Sequence, residues 1–240
     1  MAYLFVHEDR EYLLDRGERF ESDLGILEVP EDVEPGDVVE THLGTGFTVR
    51  RLRGPDLFTH LERTGAPMMP RDVGLVVGKT GVAAGDRVLD AGTGTGILSA
   101  YLGRLGADVV TYEIDPEFAE VARENMATAG VADAVEVRTG DVTDDLDTLS
   151  GFDVVTLDTE DAPTVVERTP TLLDRGGSLA VYSPFVENTR AAVDAAESAG
   201  LTDVETLDTI QREMDFDHRG SRPSTGGVGH TGYLTFARRP

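Results

Sequence analysis

Cysteine and tryptophan are both absent from this 240-residue chain, and lysine occurs once, as Lys79. Without cysteine there is no disulfide framework, no thiolate nucleophile and no thiolate metal ligand. The five histidines, His7, His42, His60, His218 and His230, show no His-x-x-x-His spacing. No metal centre is therefore expected. No apolar run approaches the roughly 20 residues of a membrane-crossing helix, and the start, Met-Ala-Tyr-Leu-Phe-Val-His-Glu-Asp, lacks a basic targeting segment. A soluble, cytoplasmic protein is the expectation. Neither a Gly-x-Ser-x-Gly elbow nor a Walker A loop occurs, so the serine-hydrolase and P-loop signatures are missing.

What the chain has in excess is acid: 45 Asp and Glu against 21 basic residues, a net charge of −24. High acid content with almost no lysine resembles proteins of extreme halophiles; the plainer alternative is an ordinary acidic protein. The bias is uneven. Residues 1–40 carry 3 basic and 13 acidic side chains, and residues 81–209 carry 7 and 26. Residues 41–80 carry 6 basic and 3 acidic, and residues 210–240 carry 5 and 3. Arginines kept against the trend, among them Arg50, Arg51 and Arg222, are suited to phosphate contacts through their planar fork, or else serve local salt bridges.

The most informative segment is Asp90-Ala-Gly92-Thr93-Gly94-Thr95-Gly96, which follows the apolar run Arg87-Val-Leu and opens a helical pattern over 97–105. A strand, a glycine turn and a helix start form a site for an adenosine-bearing cofactor. The dinucleotide fingerprint Gly-x-Gly-x-x-Gly would need glycine at 97, where Ile97 stands. The pattern resembles motif I of the class I S-adenosylmethionine (SAM) methyltransferases instead. Further strands are predicted at 109–113, ending in Glu113, at 135–138, followed by Asp141-Val142, and at 152–158, ending in Asp158. Acids at the carboxyl ends of consecutive parallel strands lie where open α/β sheets bind ligands. Glu113 suits ribose hydroxyls; in the methyltransferase pattern Asp141 serves the adenine amino group. Asp115 and Pro116 read as the cap and first residue of a helix. Asp158 is either a functional acid or the cap of the next helix.

The chain as a whole divides into a small β domain over 1–54, with strands predicted at 25–29, 37–41 and 47–52, a linker and entry helix over 55–80, and an α/β domain over 81–240. The alternation from 87 implies a parallel Rossmann-like sheet with right-handed crossovers, closed by an antiparallel pair at 204–207 and 233–237.

Asp90 to Gly96, Glu113, Leu157-Asp158, Tyr182-Ser-Pro184, Pro70-Arg-Asp72 and the ending Arg222-Pro…Gly229-His-Thr-Gly-Tyr-Leu-Thr-Phe-Ala-Arg238 together resemble the tRNA (adenine-N1)-methyltransferases that modify the T-loop. The resemblance spans roughly residues 20–239. It implies a SAM-dependent enzyme acting on tRNA position 58, and in the archaeal type also 57, working as a homotetramer. It also implies Asp158 as the catalytic carboxylate, with Tyr182, His230 and the arginines toward the substrate; His230 is alternatively structural. The chain departs from the family at Asp158-Thr-Glu-Asp-Ala-Pro163, where proline comes late, and at Asn188, where glutamine is usual. Another class I methyltransferase, acting on a corrin-type small molecule or a protein, is the alternative; it leaves the N-terminal β segments and the arginines without a role.

The charge excess sets a first expectation. Repulsion among the carboxylates is screened in molar KCl and unscreened near 0.1 M. The thermal midpoint followed by circular dichroism should fall as KCl is removed; a salt-independent midpoint removes the halophile reading.

Overall fold

Antiparallel strands come first. In the computed structural model, which describes residues 2–227 and 229–240, these are β1 (Tyr3–His7), β2 (Arg10–Leu14), β3 (Arg19–Ser22), β4 (Gly25–Glu28), β5 (Val38–Glu40) and β6 (Gly46–Arg51). β1 lies between β2 and β6, β5 flanks β6, and β3 and β4 form a separate hairpin. Alternate residues Phe5, Leu14, Phe47 and Val49 meet Leu27 and Val29 in one small core. The last three of these strands match the predicted β segments. The β1–β2 hairpin is absent from the sequence reading because its turn residue Glu8 takes a left-handed conformation (φ 53) with no glycine or asparagine to signal it.

Two helices lead out of this region, α1 (Gly54–His60) and α2 (Pro70–Thr80). Pro70 occupies the first turn of α2, and Gly81 ends it in the left-handed region (φ 70). Leu57, Leu61 and Val73 pack with Val88, Leu102 and Val154, which fixes the connecting segment against the main sheet.

Strands and helices then alternate: β7 (Arg87–Ala91), α3 (Ile97–Leu105), β8 (Asp108–Glu113), α4 (Pro116–Ala129), β9 (Val135–Thr139), α5 (Val142–Asp145), β10 (Phe152–Leu157), α6 (Ala162–Leu172), β11 (Leu173–Ser183) and α7 (Val186–Ser198). The chain closes with β12 (Thr202–Asp208), β13 (Met214–Asp217), β14 (Gly220–Pro223) and β15 (Tyr233–Arg238). Seven strands form the main sheet in the order β12-β15-β11-β10-β7-β8-β9. β9 to β11 are parallel, and β15 enters antiparallel between β11 and β12. The expected parallel sheet with a closing antiparallel pair is therefore present. The β13–β14 hairpin was not read from the sequence; Met214-Asp-Phe-Asp and Gly220-Ser-Arg-Pro are polar and largely exposed, and carry no strand pattern.

Register aligns the catalytic edge. Ala91 pairs with Tyr112 and with Leu157, and Glu113 pairs with Thr139, so β7 to β10 finish nearly level. The order reverses between β7 and β10, and a crevice opens there at the carboxyl ends. No helix among the described residues is long and apolar enough to cross a membrane.

Candidate active site

The glycine turn is shaped by contacts that exclude side chains. Gly92, Gly94 and Gly96 all have positive φ. A Cβ on Gly92 would lie 2.0 Å from the Asp158 carbonyl oxygen, and one on Gly96 would lie 2.4 Å from Met126 Cε. The end of β10 thus folds directly over the turn, held by the Asp158 N–H on Ala91 O at 2.8 Å.

Asp90 ties the turn from below. It is 4 % exposed; its Oδ2 accepts from Ser99 Oγ and Thr111 Oγ1, each at 2.7 Å, and its Oδ1 from Thr156 Oγ1 at 2.6 Å. The Thr111 proton is committed to Asp90, so Thr93 Oγ1 donates to Thr111 at 2.6 Å. One carboxylate therefore joins β7, α3, β8, β10 and the loop. Its pKa is raised nonetheless: loss of water outweighs the three hydroxyls. The partner hydroxyls of Ser99, Thr111 and Thr156 were not picked out in the sequence; single Ser and Thr residues in apolar runs carry no distinguishing pattern.

Glu113 spans the crevice. Its Oε2 accepts from the Gly94 N–H at 2.8 Å and its Oε1 from the Asp115 N–H at 3.1 Å. Asp115 in turn caps α4, accepting from the Glu117 and Phe118 N–H groups, as expected. Asp141 caps the short α5: its Oδ1 accepts from the Thr143 N–H at 2.8 Å and Oγ1 at 2.7 Å. Thr95 accepts from the Thr64 N–H, and its carbonyl from Asn125 Nδ2, which also grips the Glu62 carbonyl. The segment after α1 is thereby clipped over the turn.

These residues surround a cleft of about 470 Å³, lined by Gly92, Gly94, Glu113, Asp141, Val142 and Asp158, with Ile114, Phe118, Glu160 and Asp161. Ile114 is 67 % exposed and Phe118 38 %, large apolar surfaces suited to a flat base. Both escaped the sequence reading, although Ile114 directly follows the strand-end acid. Five carboxylates and no arginine or lysine line the cleft. A pyrophosphate finds no side-chain cation there, whereas a sulfonium and an ammonium find a negative field. SAM fits this set: Glu113 can take ribose hydroxyls, Asp141 the adenine amino group, and the glycine turn the remainder.

Asp158 sits where the cleft meets the glycine turn. It does not cap α6, whose cap position is Asp161, so the capping alternative is removed. Its carboxylate has no protein hydrogen bond among the described residues. It is open to the cleft, yet protein crowds it, and with Asp90 close by its pKa is lifted to about 7. Tyr182, on β11, shares its electrostatic surroundings and is bonded to Thr231; burial raises its pKa.

The other expected substrate residues are not gathered with Asp158. His230 Nδ1 bonds Asp208 Oδ1 at 2.8 Å and its ring packs on Tyr233. Arg222 lies 3.7 Å from Asp215 in the outer hairpin. Arg50 and Arg51 project from β6, exposed and without an ion pair among the described residues.

Strand order, glycine turn and the row of strand-end carboxylates define a class I SAM-dependent methyltransferase. Residues 53–220 match the family described as tRNA methyltransferase complex GCD14 subunit. The tRNA (adenine(57)-N(1)/adenine(58)-N(1))-methyltransferase TrmI of Methanocaldococcus jannaschii is 33 % identical over all of this chain and 95 % of its own length. The tRNA (adenine(58)-N(1))-methyltransferase TrmI of Thermus thermophilus is 30 % identical over 85 % of this chain and 82 % of its own. Among solved structures, the TrmI of Aquifex aeolicus superposes with a TM-score of 0.75 over 100 % of this chain and 97 % of its own, at 21 % identity, a likeness of fold. The chain belongs to the GCD14 family of tRNA methyltransferases.

Removing the Glu113 carboxylate is expected to weaken SAM binding ten- to a hundredfold, the worth of a charge-assisted hydrogen bond. Calorimetry on Glu113→Ala and Glu113→Gln, with thermal melts to separate loop loosening, checks this. Unchanged affinity means that Glu113 only ties the loops.

Proposed function

We propose that this protein methylates N1 of adenine in the T-loop of tRNA, at position 58 and also at 57, using SAM. The observation that carries the reading is the unpartnered carboxylate of Asp158 above a SAM-type glycine turn, in a chain related over its whole length to TrmI.

When bound, SAM supplies a methyl on a sulfonium, which the adenine N1 lone pair takes as the C–S electron pair returns to sulfur. No strong base is needed; the protein must hold N1 in line and stabilise charge. Methylation leaves the ring cationic, and its 6-amino group becomes a stronger donor. Asp158 accepts from that group, so its bond tightens as positive charge develops. The lack of protein partners keeps it available. In folded tRNA the target is stacked, so the base must be drawn out before Asp158 can reach it.

Arg50, Arg51 and Arg222 are proposed phosphate contacts that fix the tRNA outside the cleft, with His230 beside them, and Glu113, Asp141, Val142 and residues 90–96 hold the cofactor. Residues 1–54 act as the RNA-facing β unit, 55–80 as linker and entry helix, and 81–240 as the methyl-transferring domain. A homotetramer, working in the cytoplasm, completes the proposal. Incubation with tRNA and SAM in molar salt, followed by mass mapping of the T-loop, tests the activity and tells 57 from 58; unmodified T-loops refute it.

Asp158 must be ionised to work. Its raised pKa means that activity is lost as pH falls, with a midpoint above the ordinary carboxylate value of about 4 and no higher than about 7. Asp158→Ala should lower single-turnover rates on the order of 10²–10³-fold with SAM still bound. The acidic limb should vanish in Asp158→Asn. A variant with near-normal turnover reassigns Asp158.

A further inference from the structure

Two sequence segments singled out above, Pro70-Arg-Asp72 and His230-Thr-Gly-Tyr233, meet beside Tyr182. Thr231 Oγ1 donates to Asp72 Oδ2 at 2.9 Å and accepts from Arg71 Nη2 at 3.2 Å. Arg71 Nε lies 3.7 Å from the same carboxylate, and the two side chains are 7 % and 4 % exposed. The Tyr182 hydroxyl is hydrogen-bonded to Thr231 as well. Donor counting fixes the direction of that bond. A threonine hydroxyl has one proton and two lone pairs; a carboxylate only accepts, and a guanidinium only donates. The Thr231 proton goes to Asp72, and one of its lone pairs takes the Arg71 proton. Tyr182 must therefore donate to the second lone pair. Its own oxygen is left with lone pairs alone.

Gly232 makes the arrangement possible. A Cβ there would lie 2.6 Å from Tyr182 Cζ and 2.7 Å from its hydroxyl oxygen. The Tyr182 ring thus rests directly against the backbone that carries Thr231, within reach of the charge of Asp158.

We propose that Arg71, Asp72 and Thr231 hold the Tyr182 proton away from the substrate, so that Tyr182 and Asp158 face the target base as two acceptors and select a purine with an amino group beside the methylated nitrogen. The inference rests on the function proposed above. An adenine 6-amino group brings two protons to two acceptors. A carbonyl in its place, as in hypoxanthine, sets lone pairs against lone pairs, and a bare C–H leaves both acceptors unpaired; sites built this way discriminate strongly. Tyr182 and Asp158 touch the base. Arg71, Asp72 and Thr231 are positioning residues.

The test uses the full-length protein with SAM and two tRNAs, one with adenosine and one with purine riboside, which lacks the amino group, at the target position. The quantity read is the ratio of their single-turnover rates. The lower intrinsic reactivity of purine riboside is common to every variant and cancels in the comparison. Tyr182→Phe should lower the ratio about tenfold, the worth of one hydrogen bond, by slowing the adenosine tRNA while the purine riboside tRNA keeps near its wild-type rate. Thr231→Val should do the same with KM for tRNA and calorimetric affinity for SAM unchanged, and Thr231→Ser should restore the ratio. A ratio unchanged in Tyr182→Phe and Thr231→Val overturns the proposal, as does equal slowing of both tRNAs. Wild-type protein that leaves the adenosine tRNA unmethylated overturns the underlying function instead.

Discussion

The catalytic edge depends on one close approach, the Asp158 peptide carbonyl set where a side chain on residue 92 would begin. Only glycine allows the end of β10 to close over the turn after β7. That contact brings the cofactor loop and the carboxylate meant for the substrate to one place. Asp90 secures it from beneath, drawing hydroxyls from α3, β8 and β10 to a single buried group. Loop and carboxylate are therefore built as one unit.

The same site works against the fold electrostatically. Asp90 and Asp158 both have raised pKa values, with burial as the largest cause. A carboxyl group whose native pKa exceeds its unfolded value binds its proton more tightly when folded. Its contribution to stability is greatest at acid pH and declines as pH rises from about 4 toward about 7. A cationic cofactor in an acid-lined cleft offsets this strain. The −24 net charge adds a diffuse repulsion of the same sign.

The main sheet was legible because its signals are local. The glycine turn, the Asp115-Pro116 helix start and the acids at strand ends each mark one boundary, and α3 and α7 fall where their patterns place them. The β1–β2 and β13–β14 hairpins were not, since one turns through Glu8 and the other is polar throughout. Within the site, Glu113, Asp141 and Asp158 stood out by position. Ser99, Thr111 and Thr156 could not, because their role exists only once four elements converge on Asp90. The link from Asp72 to Thr231 joins residues 159 apart, and no spacing rule relates them.

β15 is last in sequence but interior in the sheet, between β11 and β12. During synthesis the cofactor loop and strands β7 to β11 can assemble before it exists. β12 must wait at the edge without its neighbour, and Tyr182 without Thr231. The half of the site that recognises the base is thus finished only when the chain ends. A nascent polypeptide on the ribosome, surrounded by tRNA, carries a cofactor pocket but not yet the means to orient its substrate.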